Sequence, residues 1–372
     1  MAGRMNRNGK KKEADFIILF TAMTLLAIGI VMVFSASSIV VADNYKDPYF
    51  QLRRQAMWAV LGLGGLLFFS NYDYWKLKRW TNLSLLVSLF LLLAVFIPGV
   101  GHAVKGAYRW IRIGSLTGQP SDMAKVSLLL FAAAYLSRKD IRIDKFTEGP
   151  LPVLAVLGVF FGIIMLQPDL GTAVAMSGTV MVVVFVAGMP LGQMGLIGAA
   201  TVPLLGYLMM SKPYRVRRLM SFRDPWIDPL DTGFQIIQSL YALGPGGLFG
   251  VGLGRSRQKM HYLPEPWSDF IFAIIGEELG LIGTVSVLLL FFLLIWRGFK
   301  VALMAPDMFG SLLATGITAM IGLQALMNIG VVTGSIPVTG INLPLISAGG
   351  SSLLFTMCSL GVLLNISKYI KS

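Results

Sequence analysis

The chain has 372 residues, of which 55% are hydrophobic and only 13% charged, with a mean hydropathy of +0.73. That balance excludes a soluble domain, whose charged share is usually about twice as large. The 31 Lys and Arg against 18 Asp and Glu give a formal charge of +13. Two distant histidines, His102 and His261, exclude a histidine-based zinc site, and the single Cys358 excludes an intrachain disulfide.

A basic tail, residues 1–14 with Arg4, Arg7, Lys10, Lys11 and Lys12, comes first. The apolar run from Phe16 to Ala42 behind it is too long for a signal-peptide core and reads as a retained first span of about 15–42. Nine further stretches of spanning length follow, near 55–71, 81–98, 121–137, 150–167, 170–188, 193–211, 269–296, 309–334 and 347–369. The expectation is an all-α polytopic protein with about ten transmembrane helices, one integral-membrane domain over 15–372 and both termini in the cytoplasm. Charge supports this orientation. Short cytoplasmic segments hold sixteen Lys or Arg (4, 7, 10, 11, 12, 76, 78, 79, 138, 139, 142, 145, 297, 300, 368, 371), and short outer ones hold six (46, 53, 54, 105, 109, 112).

Between spans three and four, Tyr108-Arg-Trp-Ile-Arg-Ile113 alternates aromatic, apolar and basic residues, as an interfacial segment does, and Ser121 or Asp122 then caps a helix. Lys125, one turn into that helix, either snorkels, pairs with Asp122 or Glu278, or presents a cation to a phosphate. The large extracytoplasmic loop, about 212–268, carries Lys212, Arg215, Arg217, Arg218, Arg223, Arg255, Arg257 and Lys259. Such a cluster suits anionic headgroups in general, or forms a cradle for a phosphate-bearing substrate. Within the loop, 214–223 has the spacing of an interfacial helix, 224–229 turns at its prolines, and 235–241 reads as a short amphipathic helix. The glycine-dense stretch 244–254 lacks the context of a nucleotide loop and suits close backbone approach instead.

Where this loop runs into the eighth apolar stretch stands Asp269. A carboxylate there is costly unless it pairs, faces water or does chemistry, so it reads as a catalytic base at a membrane surface. The plainer alternative is helix capping, which Ser268 can perform, leaving Asp269 in the first turn. Ala273, Gly276, Gly280 and Gly283 share the azimuth of Asp269 and make a nearly bare face, fit for a neighbouring helix or a lipid chain. Glu277 and Glu278, roughly 12 Å further along the helix at 1.5 Å per residue, read as paired structural acids.

Five ordered blocks carry a resemblance. They are Gln119-Pro-Ser-Asp-Met-Ala-Lys125, Gln167-Pro-Asp-Leu-Gly-Thr172, Gly233-Phe-Gln-Ile-Ile-Gln238, Tyr262-Leu-Pro-Glu-Pro-Trp-Ser-Asp-Phe-Ile-Phe272 with Gly276-Glu-Glu-Leu-Gly280, and Ile336-Pro-Val-Thr-Gly-Ile-Asn-Leu-Pro-Leu-Ile-Ser-Ala-Gly-Gly-Ser-Ser352. Together they resemble the SEDS family (shape, elongation, division and sporulation), collinear from the first span to the last. Asp224-Pro-Trp-Ile-Asp-Pro229, the 235–247 stretch and Ser256-Arg-Gln-Lys259 resemble the FtsW and SpoVE branch more than the RodA branch. Asp122 and Ala348 depart from the glutamate and tyrosine expected of the family.

The resemblance implies a peptidoglycan glycosyltransferase that polymerises lipid II at the outer face of the cytoplasmic membrane, releasing undecaprenyl diphosphate. It also implies a class B penicillin-binding protein as partner, with other division or sporulation membrane proteins alongside. Asp269 falls on the family's essential aspartate and is assigned as general base of an inverting transfer. Arg109, Lys125, Arg255 and Lys259 are assigned to the two pyrophosphates, and Gln119, Ser121, Glu265, Ser347 and Ser351 to orienting sugars or those cations. No cofactor is evident and no acidic cluster forms a metal cage, so any Mg²⁺ or Mn²⁺ arrives with the phosphates. A lipid II flippase would need charge at mid-span, where this chain has little, and a noncatalytic division scaffold would tolerate loss of Asp269.

Overall fold

The computed structural model describes residues 13–370 except 105, 106 and 115, so the basic tail from Arg4 to Lys12, Lys105 and Lys371 lie outside the described residues. Each of the ten apolar stretches is a helix: α1 (Phe16–Tyr45), α2 (Phe50–Asn71), α3 (Leu77–Ala94), α4 (Pro120–Leu136), α5 (Pro150–Leu166), α6 (Leu170–Val186), α7 (Leu191–Met210), α10 (Ile271–Met304), α11 (Met308–Val332) and α12 (Gly350–Ser367). The loop 212–268 supplies two short ones, α8 (Pro213–Arg223) and α9 (Phe234–Leu243), where the sequence spacing predicts them. Among the described residues, six helices are long and apolar enough to cross a membrane by length and composition: α1, α3, α7, α10, α11 and α12. Helices α5 and α6 are apolar but shorter. In hydrocarbon every backbone group must be satisfied within its own segment, which is why such sequences fold as helices.

The bundle is organised around α11, which packs against α10, α6, α4 and α12, while α2 lies along α12 and α1 along α10. Carboxylates at helix starts hold several ends in place. Asp15 accepts from the amides of Ile17 and Ile18 at 3.1 and 3.3 Å and pairs with Arg297 at 2.6 Å, and Asp307 accepts from the Gly310 amide at 3.0 Å. Helix α7, by contrast, buries none of its residues and rests mainly on α8.

Two sequence expectations need correcting. The all-α class omits a small antiparallel sheet, β1 (Gly101–Val104), β2 (Ala107–Ile113) and β3 (Leu116–Gly118), with His102 opposite Trp110 and Arg112 opposite Thr117. The alternation read as an interfacial segment is a period-two strand pattern, and Gly114, at φ +62°, makes the turn. This sheet packs on the start of α4 and on α12.

The second correction concerns α10, which is not a continuous helix. Gly280, at φ +67° and ψ −161°, breaks it into a half-helix of Ile271–Leu279 and a longer run to Met304. The backbone groups freed by the break are taken up by the glycine-dense loop. Val251 and Gly252 amides donate to the carbonyls of Glu277 and Glu278 at 3.0 and 3.1 Å, and the amides of Leu281 and Ile282 donate to the carbonyls of Gly247 and Leu248 at 2.9 and 3.1 Å. A Cβ at Gly280 would stand 2.4 Å from the Gly250 nitrogen, and one at Gly250 2.1 Å from the Glu278 carbonyl oxygen. Glycine is therefore required on both sides of this crossing. The bare face of the half-helix meets this loop and Leu243 at Gly276.

Candidate active site

Asp269 sits in the turn just before α10, half-buried, with its backbone fixed from one side. The three successive carbonyls of 267–269 each accept a hydrogen bond from α11 or from the loop joining α11 to α12. The Ala348 amide donates to Trp267 at 2.9 Å, the Ser347 hydroxyl to Ser268 at 2.7 Å, and the Asn328 side-chain amide to Asp269 at 2.8 Å. The Ser268 hydroxyl, expected to cap α10, instead shares its proton between Asn342 Oδ1 at 2.9 Å and Asp269 Oδ1 at 3.2 Å. No side chain caps α10, whose N-cap residue is Phe270. The wall facing Asp269 Oδ2 is Gly340, where an added methyl would lie 3.7 Å from the oxygen. The Asp269 backbone is thus pinned, and Gly340, which has no side chain, lies near one of its carboxylate oxygens.

A second polar group joins the starts of α4, α6 and α12. Asp169 caps α6 through the Thr172 amide and hydroxyl at 3.2 and 2.9 Å, accepts from Gln119 Nε2 at 3.1 Å, and has Arg109 at 3.9 Å. Arg109 also donates to the carbonyls of Gln167, at 2.9 Å, and Pro168. The Ser351 hydroxyl accepts from the Gln119 amide at 2.9 Å and donates to Asp122 at 2.7 Å, and Asp122 pairs with Lys125 at 2.9 Å. Of the partners open to Lys125 in the sequence, the structure selects Asp122. Ser121 Oγ is buried with no hydrogen-bond partner.

Helix α8 links the two groups through Arg218, an exposed residue that donates to the Val338 carbonyl at 3.3 Å. Desolvation by the surrounding protein lowers the pKa of this guanidinium from its ordinary value; Arg109 acts in the same direction, and Tyr214, Asp269 and Asp169 oppose it. Arg218 therefore lies within electrostatic reach of Asp269 on one side and of Asp169 and Arg109 on the other. Such a site can take up a proton at Asp269 and stabilise an anion at the arginines.

Lys259 belongs elsewhere. It is 1% exposed, pairs with Glu278 at 2.8 Å and donates to Ser35 Oγ at 3.2 Å. Glu278 also accepts from Ser35 at 2.6 Å, while Glu277 accepts from Ser256 and from the Arg257 amide at 2.8 Å. A sealed ammonium cannot touch a headgroup, so Lys259 leaves the substrate-binding set and anchors the far end of the half-helix. Arg255 is exposed on the glycine-dense loop, and Glu265, half-buried at φ +49°, accepts from the Ser268 amide through its carbonyl at 3.0 Å. Among the described residues no group of three or more His, Cys, Asp or Glu could hold a metal.

A family model for cell cycle proteins, FTSW_RODA_SPOVE, matches residues 15–372. The chain belongs to the FtsW/RodA/SpoVE family. Within it, the stage V sporulation protein E of Bacillus subtilis is 49% identical over 97% of this chain and 98% of its own. A probable peptidoglycan glycosyltransferase FtsW of Geobacter sp. strain M18 is 45% identical over 95% and 96%. Two solved structures share the fold. One, described as the structural coordination of polymerization and crosslinking by a peptidoglycan synthase complex, matches with a TM-score of 0.78 at 33% identity, covering 96% of this chain and 98% of that one. The rod shape determining protein RodA of Thermus thermophilus matches at 0.70 and 31%, with the same coverage. The family resemblance carried by the five sequence blocks is thereby shown.

Three residues of the site were missed in the sequence. Arg218 was one of eight loop cations with nothing to single it out. Asp169 carried a signal, since Asp-Leu-Gly-Thr172 has the spacing of a helix cap, but not the information that Arg109 and Gln119 would converge on it. Asn328 lies in an apolar helix, where a side-chain amide signals a buried hydrogen bond without naming its partner.

Proposed function

We propose that this chain is a peptidoglycan glycosyltransferase that polymerises lipid II into glycan strands, with ten spans and a site open to the extracytoplasmic side. The observation that carries the reading is Asp269: a half-buried carboxylate on a pinned backbone, within the field of Arg218, in a family whose relatives are named for this activity. The glycosyl transfer requires a base to take the acceptor hydroxyl proton as that oxygen attacks the anomeric carbon. It also requires cations for the charge gathering on the departing pyrophosphate. Asp269 supplies the first. Arg218, Arg109 and Arg255 supply the second, while Lys125, Gln119, Ser351 and Ser347 hold the walls and Glu265 is left to meet the sugars; Ser121, as buried as Lys259, leaves the substrate-binding set with it.

A divalent cation, if it takes part, enters with the pyrophosphate rather than in a protein cage. The partner is a class B penicillin-binding protein, in line with the synthase complex whose chain shares this fold, and other division or sporulation membrane proteins join the pair. The test is direct: wild-type protein, supplied with a transpeptidase-silenced partner and labelled lipid II, yields glycan polymer. Asp269→Asn lowers that rate by about 10² to 10⁴, the usual contribution of a general base, with unchanged elution and partner binding. Equal polymer from both proteins sinks the assignment.

A further inference from the structure

We propose that Asn328, on α11, is a positioning residue that sets where the Asp269 carboxylate stands. The proposal rests on Asp269 being the base. Asn328 is 1% exposed, and its single Nδ2 donates to two carbonyls at once, Asp269 and Ile341, each at 2.8 Å. Its Oδ1 is buried with no partner. That fixes the amide's orientation, since the flipped form would turn oxygen toward two carbonyl oxygens and forfeit both bonds. It also means that the fold tolerates a costly orphaned acceptor to keep the nitrogen in place. The Ser347 and Ala348 ties to the same turn come from the loop joining α11 to α12. Asn328 instead stands on the central helix, 78% of whose most apolar window is buried, so it refers Asp269 to the rigid part of the bundle.

The test compares Asn328 with Asn365, an equally buried asparagine of α12 whose amide donates to the Ser70 carbonyl at 2.9 Å and whose Oδ1 accepts from Tyr74 at 3.1 Å, remote from Asp269 in the bonding network. Steady-state polymerisation of lipid II is measured for Asn328→Leu, Asn328→Ser and Asn365→Leu beside wild type and Asp269→Asn, with Tm recorded for each. Asn328→Leu is expected to lower kcat about 30- to 100-fold with KM held within about twofold, the effect of a misplaced reacting group. Asn365→Leu is expected to lose Tm to a similar degree and less than about threefold in kcat, as for a site with no tie to the chemistry. If Asn328→Leu does not fold, the milder Asn328→Ser carries the same expectation at about tenfold or more. An Asn328 variant keeping more than a third of wild-type kcat while Asp269→Asn is inactive overturns the positioning role alone. An Asn365→Leu protein that loses kcat equally reduces Asn328 to a structural residue and overturns it too. Wild-type turnover by Asp269→Asn overturns the base assignment and this proposal with it.

Discussion

The half-helix Ile271–Leu279 has an acid at each end, and the two ends differ in everything but residue chemistry. Asp269, before its start, is half-buried, pinned through its backbone, and within the field of Arg218. Glu278, at its far end, is 0% exposed, and its Lys259 partner 1%. A carboxylate left half-buried beside a cation can serve the proposed transfer, whereas one sealed with its cation is a staple. Access, not composition, separates the two, and the break at Gly280 makes the sealed end possible by admitting the 247–252 loop into the helix.

This comparison can be broken most forcefully at the sealed end. Glu278→Gln or Lys259→Met alone leaves one buried charge without its partner and should cost about 3–5 kcal/mol of stability, read as a fall in Tm of the purified protein. If either change leaves Tm in place and raises only KM for lipid II, Lys259 returns to the substrate-binding set. Gly280→Ala should come next, at about 1–3 kcal/mol from the backbone conformation alone, with the contacts to Gly250 and Leu248 adding to it. A wild-type Tm for that variant would deny the crossing.

At the open end the expected effects are smaller and fall on binding. Arg218→Ala should raise KM for lipid II about three- to tenfold, more at low ionic strength than at high, because salt screens the attraction between its charge and a pyrophosphate. A loss confined to kcat would place Arg218 among the reacting groups instead. Arg255→Ala, on an exposed loop, should change KM less than about threefold and stability within about 0.5 kcal/mol, as surface substitutions usually do.

Much of this was legible in the sequence, for identifiable reasons. Apolar runs of bilayer length announce their helices because hydrocarbon leaves the backbone no other partner, and Asp269 announced itself as a charge too expensive to be idle. The pairing of Glu277 and Glu278 as structural acids was readable from their depth, but the identity of the cation was not. Lys259 looked like its neighbours Arg255 and Arg257, and only the loop's path through the Gly280 break carries it under cover while leaving those two exposed. The β-hairpin was hidden for a related reason. Tyr108-Arg-Trp-Ile-Arg-Ile113 alternates as an interfacial segment does, and it takes the pairing with 101–104 and 116–118 to make the same alternation a strand. The convergence of Arg109, Asp169 and Gln119 depends on tertiary contacts between α4, α6 and the sheet, which no local pattern encodes.

The most direct measurement sets the two ends of the half-helix against each other in one assay: lipid II polymerisation by Asp269→Asn and by the charge-free double variant Lys259→Met/Glu278→Gln, at equal folded protein. Removing a buried pair together is far milder than breaking it, so the double variant should keep at least about a third of wild-type turnover while Asp269→Asn loses about a hundredfold or more. The reverse pattern, turnover lost with the sealed pair and kept without the Asp269 carboxylate, would contradict the account.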